Sequence, residues 1–263
     1  MKSKLIAVAM ALLMSISVFA ADNSIYIDQS GDNTNVTMTQ DGAGNIVRGI
    51  QGVGSSNTTP AKIVGNDNTV SIQQIGSGNR LDFGINTTIA NAAQQNGNVF
   101  NYRVTGNNGI AIINSNNDGQ GTSASNYVDI DQTGNNSYTN INILGTNNKI
   151  VGVTDGGSNN SITSVISGES NVQNISMTGG GANQISTTQA GNAGNIDLTS
   201  VGAGNHYTIA QSGGSTNGHS AVVDINGSSN TVNITQQGTA GDSTINLKSV
   251  GTGNTFTLNS NVH

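Results

Sequence analysis

Apolar and polar residues alternate along this chain in short bursts, each closed by Gly and Asn. Residues 68–79, NTVSIQQIGSGN, show the unit most cleanly. Val70 and Ile72 alternate with polar neighbours, and Gln74 takes the third position on the same face. Gly76 and Gly78 close the unit, and Asn79 opens the next. The template is N-x-φ-x-φ-x-Q-x-G-x-x-N, with φ apolar. A period of two predicts a strand, and a Gly/Asn cluster predicts a turn.

The template recurs along the chain. It places Ile25, Ile27, Gln29 and Gly31 in one unit, and Val36, Met38, Gln40 and Gly42 in the next, with Asn45 opening a third. Residues 45–67 are degraded: Val47 fits, Gly49 takes an apolar position, and an insertion carries Pro60, the chain's one proline. Because proline is tolerated only at edges and bends, this stretch is expected to be a turn with a looped-out corner. Asn68 and Asn79 open units with Val70 and Ile72, then Leu81, Phe83 and Ile85. Residues 87–125 are the least regular, with Phe100, Tyr102 and Val104 on the template and Ile110 and Ile112 expected inward after them. Asn126 restores it with Val128, Ile130, Gln132 and Gly134, and Ile141 and Ile143 follow. Later units carry Ile185, Gln189 and Gly191, then Tyr207, Ile209, Gln211 and Gly213 after Asn205. Asn230 opens a unit with Val232, Ile234, Gln236 and Gly238, and Gly251 and Asn254 precede a last strand. The intervals average about 11 residues, or about 22 per pair. The expected fold is all-β, a β-solenoid of roughly eleven two-strand turns, about 50 Å long at ~4.8 Å per turn.

The first residues read differently. MKSK, an uncharged apolar run from Leu5 to Val18 and a small residue before Asp22 form the pattern of a secretory signal peptide. The domain division is therefore a signal peptide at 1–20, cleaved between Ala20 and Ala21, and a repeat region at 21–263. With 8% charged and 3% aromatic residues, the composition argues against an ordinary enzyme-like globule. Net charge is -6, so nothing attracts nucleic acid.

No constellation supports catalysis or a cofactor. His206, His219 and His263 are expected at a strand start, a surface loop and the terminus. Asp129 and Asp131 alternate with Val128 and Ile130 and are expected to face solvent, where they would restrain sideways aggregation. The G-x-G-N corners are followed by strands, whereas a dinucleotide loop needs a helix. Without Cys or clustered His, no metal site is expected.

A lone turn cannot fold. Its few inward side chains contribute on the order of 6–12 kcal/mol, against roughly 30 kcal/mol for ordering about 22 residues. Turns must share backbone hydrogen bonds, and Gln or Asn recurring at one position can form amide ladders along the rod. Corner Gly and Asn supply positive φ. No atypical cap is visible, so both end turns are expected to offer unpaired edges on which another molecule can add.

The units NTVSIQQIGSGN, NSIYIDQSGDN, NYVDIDQTGNN and NTVNITQQG resemble the curlin repeats of curli fibre subunits. The resemblance implies a β-solenoid subunit, secreted through the periplasm, that polymerises into an extracellular amyloid-like fibre for biofilm matrix and adhesion. It implies self as the main partner, with a nucleator and an outer-membrane export channel. By resemblance, the ladder role falls on Gln29, Gln40, Gln74, Gln132, Gln189, Gln211 and Gln236, with Asn45, Asn68, Asn79, Asn126, Asn205, Asn230 and Asn254. The family's second Gln, on the return strand, is replaced here at Ile85, Thr154 and Ser249. The alternatives are a non-polymerising solenoid that binds a glycan or ice surface, and a spacer in a surface or phage fibre.

Overall fold

The computed structural model describes residues 22–52, 54–86, 97–116, 125–155, 157–213 and 218–263. The signal segment with Ala20 and Ala21 lies outside the described residues. The strands in chain order are β1 (Ser24–Ile25), β2 (Ile27–Ser30), β3 (Asn35–Asp41), β4 (Ile46–Gly49), β5 (Ala61–Val64), β6 (Thr69–Ile75) and β7 (Arg80–Ile85). Next come β8 (Val99–Thr105), β9 (Ile110–Asn116), β10 (Tyr127–Thr133), β11 (Tyr138–Leu144), β12 (Lys149–Asp155), β13 (Ser161–Ser167) and β14 (Val172–Thr178). The last are β15 (Gln184–Gly191), β16 (Asn195–Val201), β17 (His206–Gly213), β18 (Ser220–Asn226), β19 (Thr231–Gly238), β20 (Thr244–Val250) and β21 (Thr255–Val262). No helix occurs among the described residues.

Pairing is parallel throughout; from β6 on it skips one strand at a time, as a solenoid of two strands per turn requires, whereas the broken rungs β1/β2 and β4/β5 make the first pairs skip two. One sheet runs β1-β4-β7-β9-β11-β13-β15-β17-β19-β21, with β2 and β5 continuing the rungs of β1 and β4. The other runs β3-β6-β8-β10-β12-β14-β16-β18-β20. The class is the expected all-β solenoid, but with fewer turns than eleven, since the second sheet stacks nine strands, one per turn. The even period fails in the early turns. Ser24 pairs with Ile46, 22 residues on, but Ile46 pairs with Arg80, 34 on, and Arg80 with Ile110, 30 on. From Tyr138 the steps are regular: Tyr138 pairs with Ser161 at 23 and Gln184 with His206 at 22.

The insertion that carries Pro60 is not at a corner. It leaves from the middle of a rung, between β4 and β5. Tyr26 donates its N–H to Val47 O and accepts from Ala61 N, both near 2.9 Å, so the excursion begins and ends beside one residue of the rung below. Residues 50–52 and 54–60 lie over the outer face of the first sheet and close on a buried ion pair, Arg48 with Asp82 at 2.8 Å, which Arg80 approaches at 3.4 Å and Asn57 supports.

The core lies between the sheets, three inward positions per strand. Val70, Ile72 and Gln74 fill them on β6, and Leu81, Phe83 and Ile85 on β7, all buried. Phe83 and Phe100 stack across the core at 5.0 Å. On β9 the inward residues are Ala111, Ile113 and Ser115. Ile110 and Ile112, expected inward, face out one position away. The apolar core divides into two clusters. At their junction a polar seam crosses it, where Gln173 Oε1 accepts from Ser164 Oγ at 2.6 Å and Thr187 Oγ1 at 2.8 Å.

Candidate functional site: the amide ladders

The residue just before each strand starts a column. Ahead of the first sheet stand Asn23, Asn45, Asn79, Gly109, Ser137, Asn160, Asn183, Asn205, Asn230 and Asn254. Ahead of the second stand Thr34, Asn68, Asn98, Asn126, Asn148, Asn171, Gly194, His219 and Ser243. Most ladder Asn residues reach one turn toward the C-terminus with both ends of the amide; Asn68 and Asn160 do so with Oδ1 alone, and Asn98 Nδ2 donates back to Asn68 Oδ1. Asn205 Oδ1 accepts the Asn230 N–H at 3.0 Å, while Asn205 Nδ2 donates to Gly227 O at 2.9 Å. Asn45 does the same to Asn79 N at 3.1 Å and Gly76 O at 2.8 Å. One side chain thus satisfies a corner N–H and a corner carbonyl that would otherwise be buried without partners. The columns are polar, because the Asn Oδ1 atoms accept from the next rung toward the C-terminus.

Asn98, Asn148, Asn160, Asn171 and Asn183 belong to these columns and are buried. The ladder set expected from the sequence omits them; only Asn98 precedes a full x-φ-x-φ run, VFNY, whereas Asn148, Asn160 and Asn183 are followed by a single template isoleucine, Ile150, Ile162 and Ile185, and Asn171 by Gln173.

The glutamines do not form one ladder. Gln40 Nε2 donates to Gln74 Oε1 at 2.7 Å on the second sheet, and the next rung offers Val104. Gln132 stands alone on the same sheet and accepts the Tyr102 hydroxyl at 2.9 Å. Gln189, Gln211 and Gln236 stack on the other sheet through Nε2–Oε1 bonds of 2.9 Å each. That run ends against Ile166 on one side and Ser260 on the other. Gln29 is exposed and bonds its own corner at Gly31 O. Gln189 Oε1 and Gln132 Nε2 are buried without a partner, whereas the other end of the late run, Gln236 Nε2, donates to Ser220 O and Ser243 O.

The corner glycines Gly31, Gly42, Gly76, Gly134, Gly191, Gly213, Gly238 and Gly251 all have φ between 85° and 141°. At Gly76 there is a second reason for glycine: a Cβ there would overlap the Gly106 carbonyl oxygen of the next turn.

His219 differs from expectation. It is not a surface loop residue but 1% exposed, at an Asn position of the second column. Its Nδ1 takes the role of Asn Oδ1, accepting the Ser243 N–H at 3.2 Å and meeting Ser243 Oγ at 3.0 Å. Nε2 then carries the proton and donates to Ser212 O at 3.1 Å. His206 is exposed at the start of β17. Asp129 and Asp131 do share the outer face, Asp131 paired with Arg103 at 2.8 Å and Asp129 accepting the Tyr127 hydroxyl at 3.0 Å. Burial pushes the phenols of Tyr102 and Tyr207 up from their ordinary range, so both stay protonated within the core, Tyr102 donating to Gln132 Oε1 and Tyr207 paired with the Ser200 hydroxyl.

Fold and columns together define a two-strand β-solenoid held by amide ladders. No protein-family model matches the chain, and no curated protein or solved structure is detectably similar to it.

Proposed function

We propose that this chain is a self-assembling structural subunit of an extracellular, curli-like fibre that serves a biofilm matrix and surface adhesion. The observation that carries the proposal is the state of the terminal rungs. Among the described residues, β20 and β21 have no strand beyond them, and β1, β2 and β3 have none before them. At the first rungs the inward side chains Ile25 and Val36 are 44% and 37% exposed. Such an edge offers unpaired backbone groups and uncovered core together, a template for another copy. The columns add direction. Asn254 closes its column at the rung beyond which a further corner N–H would dock, so growth joins the β21 end of one copy to the β1 end of the next. Export through the periplasm, a nucleating partner and an outer-membrane channel follow from the curlin resemblance of the repeats.

The test is refolding of residues 22–263 by dilution from denaturant, with amyloid-dye fluorescence and electron microscopy over a day. Unbranched fibrils whose lag disappears on seeding are expected. A soluble, β-rich monomer that never seeds overturns the proposal and favours a ligand-binding solenoid.

A further inference from the structure

The two outer faces of the rod differ in charge. In the first sheet, β9, β11, β13, β15, β17, β19 and β21 contain no Asp, Glu, Lys or Arg. The strands opposite them carry Arg103, Asp129, Asp131, Lys149, Asp197, Asp224 and Lys248. The uncharged face presents Asn140, Thr163, Ser186, Thr208, Asn233 and Thr257 along one outward row. Among the described residues its titratable groups are Tyr138 and His206, on one row at the margin.

We infer that this face is the surface through which two rods pair side by side, its occupant being a second copy of the chain. Two arguments favour that occupant. The chain carries a net charge of -6, so a face bearing its carboxylates would repel its own counterpart, whereas the neutral face brings no like charges together. The area is also sufficient. Seven strands at ~4.8 Å by seven residues at ~3.3 Å give about 800 Å² per copy, which is about the share each partner contributes to a standard stable interface. Short Thr, Ser and Asn side chains let two sheets approach closely, and a flat face meeting its own counterpart about a two-fold axis forms a closed pair.

The excursion at residues 50–60 bounds the face. Ile50 stands over a depression of about 400 Å³ beside Ile112, Asn142 and Val165, and Val165 is exposed. It forms a ledge that limits how far one copy can slide along the other. The charged face opposite remains toward solvent, so pairing stops at two rods.

Side pairing is independent of end-to-end growth, and the experiment separates them. Small-angle scattering of residues 22–263 reads the cross-section of the particle, which side pairing doubles and lengthening leaves unchanged. The variant Asn142→Lys/Thr188→Lys/Thr235→Lys puts one charge on every second rung of the neutral face. The control Ser71→Lys/Asn174→Lys/Asn246→Lys adds the same charge to the opposite face. Wild type and control are expected to show the doubled cross-section and the variant the single one. A second readout needs no charge change. The chain has no Cys, so Ser186→Cys on the central strand β15 should give a disulfide-linked pair under mild oxidation, whereas Thr199→Cys on the other face should not. A single cross-section in the wild type overturns the inference, whether or not the rods then bind ice or a glycan. Equal cross-linking of the two cysteine variants does so as well.

Discussion

The early turns and the late turns hold the same fold with different means. Up to β9 the step from turn to turn varies from 22 to 34 residues, and the core stacks Phe83 on Phe100. A buried ion pair under the 50–60 excursion closes the outer face there. After β13 the steps stay between 22 and 25 residues, and three stacked glutamines replace apolar residues at the third inward position. Column Asn residues occur in both regions, although Gly109 and Ser137 interrupt the first column and Gly194 the second. Asn79 bonds to Gly109 N at 2.9 Å across a 30-residue step, and Asn205 to Asn230 N at 3.0 Å across 25. Registry is therefore set at the corners, by amides that meet the next rung whatever lies between. Loops can lengthen without disturbing the stack, because closing a longer loop costs little extra entropy.

The largest effect is expected where one region relies on a single contact. Asp82→Ala leaves Arg48 buried without its counter-ion, which costs about 3–5 kcal/mol. Repeat arrays carry strain chiefly to nearest neighbours. Hydrogen exchange should therefore accelerate in β4–β9 and stay unchanged in β15–β21. Uniform acceleration along the rod would show that the two regions unfold as one unit.

Next comes the glutamine run. Gln211→Ala removes both amide bonds of the trio, leaves Gln189 Nε2 only its longer bond to Val172 O and strands Gln236 Oε1, for a loss of about 2–3 kcal/mol in chemical denaturation. Gln40→Ala touches one partly exposed bond of the early pair and should cost about 1 kcal/mol or less. Equal losses would mean that the length of a run confers nothing.

The seam between the two core clusters gives a third test. Gln173→Leu leaves the Ser164 and Thr187 hydroxyls without an acceptor, at about 1–2 kcal/mol. Adding Ser164→Ala and Thr187→Val removes the orphaned donors and should restore most of the loss in thermal unfolding. If the triple variant stays as unstable as the single one, the seam contributes by shape and not by hydrogen bonding.

The late region was the more legible in the sequence, and the reason is physical. A period-two pattern names the inward face of a strand, and Gly or Asn at the corner names the bend, so Val232, Ile234 and Gln236 could be placed from their spacing alone. The sheet to which a unit belongs depends on its parity counted from the start, and that count must pass the excursion after Gly49 and the irregular stretch near residues 87–96. Hence Gln74 and Gln211 read alike but lie on opposite sheets. At β9 the outward Ile110 and Ile112 are more apolar than the inward Ala111 and Ser115, and hydropathy pointed to the wrong face. The Arg48–Asp82 pair was illegible, because the residues lie 34 apart and become neighbours only through the β4–β7 register, which the unpatterned insertion hides in the sequence.

The smallest expected effect is at His219. In GHSAVVDI, His219 stands where the template has Asn, before Ala221 and Val223. Its Nδ1 accepts the next corner N–H as Asn Oδ1 does elsewhere. If acceptance at that point is what the column requires, His219→Asn should change stability by no more than about 0.5 kcal/mol, since the amide supplies the same acceptor. His219→Ala leaves Ser243 N–H buried without a partner and opens space in the column, at about 1–2 kcal/mol. Both variants lose the imidazole's reach to Ser212 O, and the Asn variant alone keeps an acceptor, so their denaturation midpoints bracket its contribution. An Asn variant as unstable as the Ala variant would show that the imidazole's reach to Ser212 O, which an Asn at this position is too short to make, is what the early-to-late continuity of the second column depends on.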